Sequence, residues 1–167
     1  MIGGSHASVL ASVAVLLLLA GAATGQSSEY ERAQIVAERK PVMGDLQDNY
    51  WILFNVNKGD SEDFAAASAA AREMSALMTR FVSLLEPGTA RGEAPGSRAK
   101  PEVWSEPETF VSAVETFQEA TAAMAAAAET GDRETYMGEF ESFTGACTAC
   151  HGLRPSSGGM FRFAKGE

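Results

Sequence analysis

Apolar residues recur at steps of three or four along most of the chain, which is the spacing that lines one face of an α-helix. This pattern predicts helices over residues 28–57, 62–85, 105–130 and 132–154, with almost no strand signal. The predicted inward residues are Ile35, Arg39, Met43, Leu46, Tyr50 and Leu53 on the first helix, and Tyr136, Phe140, Phe143, Cys147, Cys150 and His151 on the last.

Signals for helix ends are clearest around the third and fourth helices. Ser105 and Glu108 form a capping-box pattern at the start of the third helix, where Pro107 fits the first turn. Gly131 is expected to end that helix. Asp132 is expected to cap the fourth.

The four helices predict an all-α fold, an antiparallel four-helix bundle over residues 26–155. Two connections are short, and a longer one over residues 86–104 is rich in Gly, Pro, Ala and Arg. Pro41 is expected to kink or locally open the first helix. After Pro155, a Ser- and Gly-rich run predicts a flexible C-terminal tail over residues 156–167.

Residues 1–25 are predicted to be a secretory signal peptide. Their apolar run is too short to cross a bilayer comfortably, and Ala23 and Gly25 are small residues that fit a cleavage site. The alternative is an uncleaved membrane anchor, whereas a lipoprotein is disfavoured because no Cys lies near the cut. Cleavage would remove His6 and leave His151 as the one histidine of the mature chain.

The charge balance is acidic. The 167 residues include 13 basic and 22 acidic ones, which gives a formal charge of −9. Because phosphate backbones are bound by clusters of Lys and Arg, this balance argues against nucleic acid as a partner. An acidic surface would steer a basic redox partner, or it would serve only to keep the protein in solution.

The two cysteines lie three residues apart and directly before a histidine, in the C-x-x-C-H sequence from Cys147 to His151. This spacing is the attachment signal for c-type haem. Residues three apart on a helix share one face at about 5 Å, so both thiols can form thioethers with one porphyrin edge. His151 follows at once, so its imidazole can reach the iron of the same ring.

Three other kinds of site fit the motif less well. A structural zinc site needs four ligands, and the mature chain offers two Cys and one His. A thioredoxin-like pair belongs in a βαβ context, which the helical pattern does not supply. A disulfide would close a very short loop and would leave His151 unexplained. The predicted cofactor is therefore one covalently bound haem c.

The arrangement resembles the cytochrome c prime family, the class II c-type cytochromes. Three stretches carry the resemblance in order along the chain: Arg-Lys-Pro-Val-Met at 39–43, Ala-Lys-Pro-Glu-Val-Trp-Ser at 99–105, and the haem motif at 147–151. The similarity covers residues 29–154. It implies a four-helix bundle with haem near the C-terminus and, because such proteins often pair through their first two helices, a homodimer.

The resemblance also implies roles for single residues. Cys147 and Cys150 would hold the haem, and His151 would be its proximal ligand. Arg39 would lie near a haem propionate, with a solvated surface charge as its alternative. Family members usually follow the haem His with two residues, an aromatic and an Arg. Here Arg154 comes one residue early and the aromatic is absent, so Arg154 matches that pattern only in part.

Met43 occupies the position that faces the iron on the distal side in the resembling family. Low-spin members carry Met there, whereas high-spin members carry an apolar side chain and leave the sixth site empty. Met43 is therefore the expected distal ligand, with an open sixth site or another methionine as the alternatives. Among the other methionines of the mature chain, Met74, Met78 and Met124 lie on apolar helix faces, where core packing is their expected role. Met137 is on the haem-binding helix itself, and Met160 is in the Gly-rich tail.

These features predict a periplasmic one-electron carrier that meets redox partner proteins and whose iron has His and Met ligands. Such ligation favours ferrous haem and raises the reduction potential. The alternative is a five-coordinate, high-spin haem protein that binds nitric oxide or carbon monoxide. No enzyme is expected because no distal acid–base group is indicated, and no stable membrane insertion is expected after signal cleavage.

Overall fold

Four long helices and one short helix make up the computed structural model, which describes residues 8–152 and 158–164, with side chains from residue 28 onward. The four long helices form a bundle in which α1 packs on α2, α2 on α4 and α4 on α5, while α1 and α5 touch least. This confirms the all-α prediction. The helices are α1 (Ser8–Lys58), α2 (Phe64–Ser83), α3 (Glu102–Ser105), α4 (Pro107–Thr130) and α5 (Arg133–His151).

The buried face of α1 differs in part from the predicted face. Leu46 and Leu53 are buried as predicted, but Met43 and Tyr50 are only half-buried. The cause is the packing of α1, which lies mainly on α2 and leaves its α5 side at the edge of the core. The Tyr50 ring contacts aromatic rings of α5, and Met43 lies two helical turns before it on the same side.

Two predicted helix ends are confirmed. Gly131 follows α4 in the left-handed conformation, with φ of +67°, and its N–H donates to the carbonyl of Ala128. Asp132 then caps α5, because its carboxylate accepts a hydrogen bond of 2.8 Å from the N–H of Thr135. Together they form the tight connection that sets α5 against α4.

The predicted capping box at Ser105 is wrong. Ser105 is the last residue of the short helix α3, where its N–H donates to the carbonyl of Pro101 at 3.0 Å. The next helix begins at Pro107, and Glu106 before it makes no side-chain cap hydrogen bond. The long connection thus contains a helical turn of its own, which uses the residue that the local pattern assigned to α4.

Two further boundaries differ from the prediction. Helix α1 continues through Pro41. Proline has no N–H, so the carbonyl of Ala37 loses its helical donor. Both residues are exposed. Helix α5 ends at His151 instead of residue 154, because Gly152 leaves the helical conformation with φ of +75°, while its N–H still donates to the carbonyl of Thr148 at 2.7 Å. The haem motif therefore occupies the last turn of α5.

Residues 158–164, here called the strap, pack against the connection between α2 and α4. The N–H of Lys100 donates to the carbonyl of Phe161 at 3.0 Å, and the N–H of Phe163 donates to the carbonyl of Arg98 at 3.0 Å. These seven residues are packed, unlike the predicted flexible tail, because Phe161 is buried. Residues 156–157 and 165–167 of that tail lie outside the described residues.

The predicted signal peptide lies at the start of α1. Residues 1–7 are outside the described residues, and the backbone from residue 8 is helical without interruption. Cleavage after residue 25 stays a prediction. Among the described residues, no helix has the length and apolar character needed to span a membrane.

Candidate haem-binding site

The haem motif lies where α5 leaves the core. Earlier turns of the helix are buried through Phe140, Phe143 and Ala146. The next turn carries Cys147 and Cys150, both half-buried, so the helix passes from a packed interior to a rim within one turn. That rim, close to apolar side chains and open on one side, suits a large planar apolar group.

The two thiols are available for attachment, because they are free and not joined in a disulfide. Burial, and then the neighbouring Cys150, raise the pKa of Cys147 to about 12. Burial also raises the pKa of Cys150. Both groups are therefore protonated thiols at neutral pH, and they oxidise slowly.

His151 is held in the form that binds a metal. Burial, and then the guanidinium groups of Arg162 and Arg98, lower its pKa to about 4. The imidazole is therefore neutral at neutral pH, and one ring nitrogen keeps the lone pair that a metal bond requires. The donor set fits the haem group that the motif predicts.

A zinc site is not formed by these residues. Within the part of the chain that the structure describes, no three His, Cys, Asp or Glu side chains gather as a group that could hold one ion. Cys147, Cys150 and His151 are therefore not such a group.

Met43 lies on the side of α1 that faces the motif helix. It is half-buried and packs on the edge of the core together with Tyr50, Phe54 and Cys147. Tyr50 lies beside the motif helix, where burial, and then the nearby Cys147, raise the pKa of its phenol. Its ring also lies 6.3 Å from the ring of Phe143, centroid to centroid. The described surroundings of Met43 are therefore largely apolar.

Arg39 is buried and holds the loop after α2. Its guanidinium donates to the carbonyls of Leu84 and Thr89 and to the hydroxyl of Thr89. These hydrogen bonds use four of the five N–H groups. Burial lowers the pKa of Arg39, and the nearby Glu86 acts in the opposite direction. Arg39 is not a solvated surface charge, and its contact with a propionate stays a prediction.

The sequence reasoning missed the cations beside His151. Arg154 lies outside the described residues. Arg98 and Arg162 instead act on the imidazole, one from the α2–α4 connection and one from the strap. A local signal existed, because the strap reads Phe161-Arg162-Phe163, an apolar–charged–apolar alternation typical of an extended segment that packs on one side.

A family profile and individual relatives both match the sequence of this chain. A family profile described as Cytochrome C' matches residues 34–152. The cytochrome c' of Rhodospirillum rubrum is 30% identical over 142 residues, which cover 83% of this chain and 92% of that protein. A cytochrome c-554 of Cereibacter sphaeroides is 38% identical over 90 residues, but the match spans only 53% of this chain and 58% of that relative's length.

Solved structures share the fold. Cytochrome c prime from Alcaligenes xylosoxidans, in a variant with carbon monoxide bound, has a TM-score of 0.66 at 24% identity, and the match covers 79% of this chain and 96% of that one. Cytochrome c' from Rubrivivax gelatinosus has a TM-score of 0.65 at 23% identity, with 78% and 96% covered. At these identities the likeness concerns the four-helix bundle.

The bundle and its C-terminal motif define a c-type cytochrome with one haem c, covalently bound. The chain belongs to the cytochrome c' family, since the family profile and a relative that covers most of both chains agree.

Proposed function

We propose that Cys147 and Cys150 form the two thioether bonds to the haem and that His151 is the proximal ligand of its iron. The spacing of the thiols on one helical turn supports the first assignment. The neutral state of the buried imidazole supports the second. The haem supplies a metal that takes or gives one electron and binds small ligands.

We further propose that this cytochrome binds nitric oxide or carbon monoxide at an open distal position beside Met43. The observation that carries this proposal is the apolar setting of Met43, whose half-buried side chain packs against the apolar core cluster. An apolar distal wall provides no hydrogen bond or charge for water or anions, so it favours neutral diatomic ligands. The Alcaligenes relatives have carbon monoxide or nitric oxide bound.

Packing also supports an open position. The Met43 side chain makes contacts with the core edge in this structure, so a bond to iron would have to replace some of them. Core contacts of an apolar side chain are each small but add up. A methionine that keeps its packing leaves the sixth position to an exogenous ligand.

A one-electron carrier with Met43 as the sixth ligand is the second candidate. It rests on one observation, the half-buried thioether on the side of α1 that faces the motif helix. Sulfur ligation stabilises ferrous haem and raises the potential. The two candidates differ in the spin state of the ferric protein and in the access of ligands to the ferrous protein.

The test compares wild type with Met43→Leu and with Met137→Leu, a control at an exposed methionine of α5. We expect a high-spin ferric spectrum and rapid binding of carbon monoxide to the reduced protein in all three. The Met43 variant should change the binding rate through its altered shape and should keep the spin state. A low-spin ferric spectrum that Met43→Leu alone makes high-spin would overturn the open position in favour of the electron carrier.

Export to the periplasm, protein redox partners and a homodimer belong to the same proposal. The predicted signal peptide and the need for haem attachment outside the cytoplasm support export. Fractionation of producing cells with N-terminal sequencing tests the export and the cut near residue 25. Sedimentation of the haem-loaded protein tests the dimer, for which a monomer at all concentrations would be the contrary result.

A further inference from the structure

The strap is joined to the connection before α4 by backbone and side-chain hydrogen bonds. Besides the two backbone hydrogen bonds of Lys100 and Phe163, the Arg98 guanidinium donates to the carbonyl of Phe163 at 2.8 Å. The Lys100 ammonium donates to the carbonyl of Gly159 at 2.7 Å. The buried ring of Phe161 packs edge-on against Phe110 of α4 at 5.1 Å between centroids. These contacts give the strap one defined position.

That position is against the last turn of α5. The N–H of Met160 donates to the carbonyl of Ala149 at 3.3 Å. Gly159 approaches the helix more closely still, because a Cβ added there would clash with the carbonyl oxygen of Cys150 and would lie 2.5 Å from the nitrogen of Gly152. Only glycine fits this position, so the strap turn touches the backbone that carries the haem motif.

The turn brings a cation back to the motif. The N–H of Gly159 donates to the carbonyl of Arg162 at 2.8 Å, so Arg162 lies directly beside the residue that touches Cys150. Ala99 of the α2–α4 connection forms an antiparallel β-bridge with Arg162 of the strap, which sets Arg98 next to Arg162. Burial, and then the charge of Arg98, lower the pKa of Arg162, so two like charges are held close together in an otherwise acidic chain.

We propose that the strap is a clamp on the proximal side of the haem, where Arg98 and Arg162 act as positioning residues that raise its reduction potential. The inference rests on the proposed role of His151 as proximal ligand. Reduction adds one electron from an external one-electron donor, with no bond made or broken, and lowers the charge at the iron by one. Fixed cations nearby therefore favour the ferrous state.

The first test measures the reduction potential of the haem-loaded protein by spectroelectrochemical titration. We expect Arg162→Gln to lower the ratio of ferrous to ferric protein at a given potential on the order of tenfold, which equals about 59 mV for one electron. Arg162→Lys keeps the charge and should restore most of the wild-type value. Arg91→Gln is the matched control, because Arg91 stacks 4.6 Å over the Phe163 ring of the same strap, whereas the cations that lower the pKa of His151 are Arg162 and Arg98.

The outcome that overturns the clamp is an equal shift in Arg162→Gln and Arg91→Gln, which would mean a general effect of charge. A second variant, Gly159→Ala, keeps every charge and forces the strap turn away from Cys150. We expect it to lower the potential in the same direction and to speed hydrogen exchange at the N–H of Met160. Faster exchange with an unchanged potential would also overturn the proposal. A missing bond between His151 and iron would already appear in the wild-type spectrum, so the two failures are distinguishable.

Discussion

The Arg39 guanidinium donates two hydrogen bonds to the carbonyl oxygen of Leu84, one of 3.0 Å from Nε and one of 2.8 Å from a terminal nitrogen. The same guanidinium also donates to the carbonyl of Thr89, which accepts a further hydrogen bond of 2.7 Å from the Ser97 hydroxyl. Arg39, Thr89 and Ser97 are all buried. A single side chain of α1 thus fixes the start of the long connection from which Arg98 and the strap contacts arise.

Replacing this guanidinium should destabilise the fold. Arg39→Leu would leave the half-buried carbonyl of Leu84 without its two guanidinium donors and the carbonyl of Thr89 with the Ser97 hydroxyl as its remaining donor, and we expect a loss of about 3 kcal/mol in the free energy of unfolding. The exposed neighbour offers a control, since Lys40→Leu should change that free energy by less than about 0.5 kcal/mol. Urea denaturation of the haem-loaded proteins measures both, and equal losses would contradict the account of Arg39.

A second buried hydrogen bond joins the far end of the bundle. The Tyr136 hydroxyl of α5 donates to the carbonyl of Leu53 in α1 at 2.9 Å, and its ring is fully buried. Tyr136→Phe removes only the donor, so we expect a loss of about 1–2 kcal/mol in denaturant unfolding. Tyr30→Phe, at an exposed position, should cost much less. A haem spectrum changed by Tyr136→Phe would show that this bond acts on more than stability.

The folding stability that Asp132 contributes as the cap of α5 should depend on pH. Hydrogen bonds from Thr135 hold the pKa of Asp132 below its usual value of 3.8. The folded carboxyl therefore releases its proton at lower pH than the unfolded one, and its contribution to stability is present above the unfolded pKa and lost as pH falls through the folded pKa. We expect the advantage of wild type over Asp132→Asn to shrink as the pH falls below about 4. An advantage that stays constant from neutral pH to pH 2 would contradict this assignment.

Covalent attachment should depend on both thiols. Cys147→Ala and Cys150→Ala should each leave one thioether, and the double variant should release its haem on acid–acetone extraction of the denatured protein. Intact-mass spectrometry, which reads the mass of the chain with and without haem, checks each variant. Haem that stays on the double variant after extraction would place the attachment elsewhere.

The sequence was most informative where a feature depends on neighbours along the chain. The three-residue spacing of Cys147 and Cys150 and the pair Gly131 and Asp132 are local patterns, and the fold uses the latter pair as expected. The Ser105 cap failed although its pattern is also local, because α3 takes that residue for its own turn. Local propensity could not show this competition.

Features that depend on distant segments escaped prediction. The inward direction of Arg39 followed from its helical stripe, but its partners Leu84 and Thr89 lie in another part of the chain. The strap pairs with residues 98–100, and only the folded bundle brings the two together. Its Gly-rich start suggested a free tail, whereas the buried Phe161 decides its packing.

The most direct test of the open distal position is the absorption spectrum of the reduced, haem-loaded protein before and after carbon monoxide is added. We expect a five-coordinate ferrous haem that changes promptly and completely to a carbon monoxide complex. An unchanged six-coordinate spectrum after carbon monoxide is added would contradict the open distal position and make Met43 the sixth ligand.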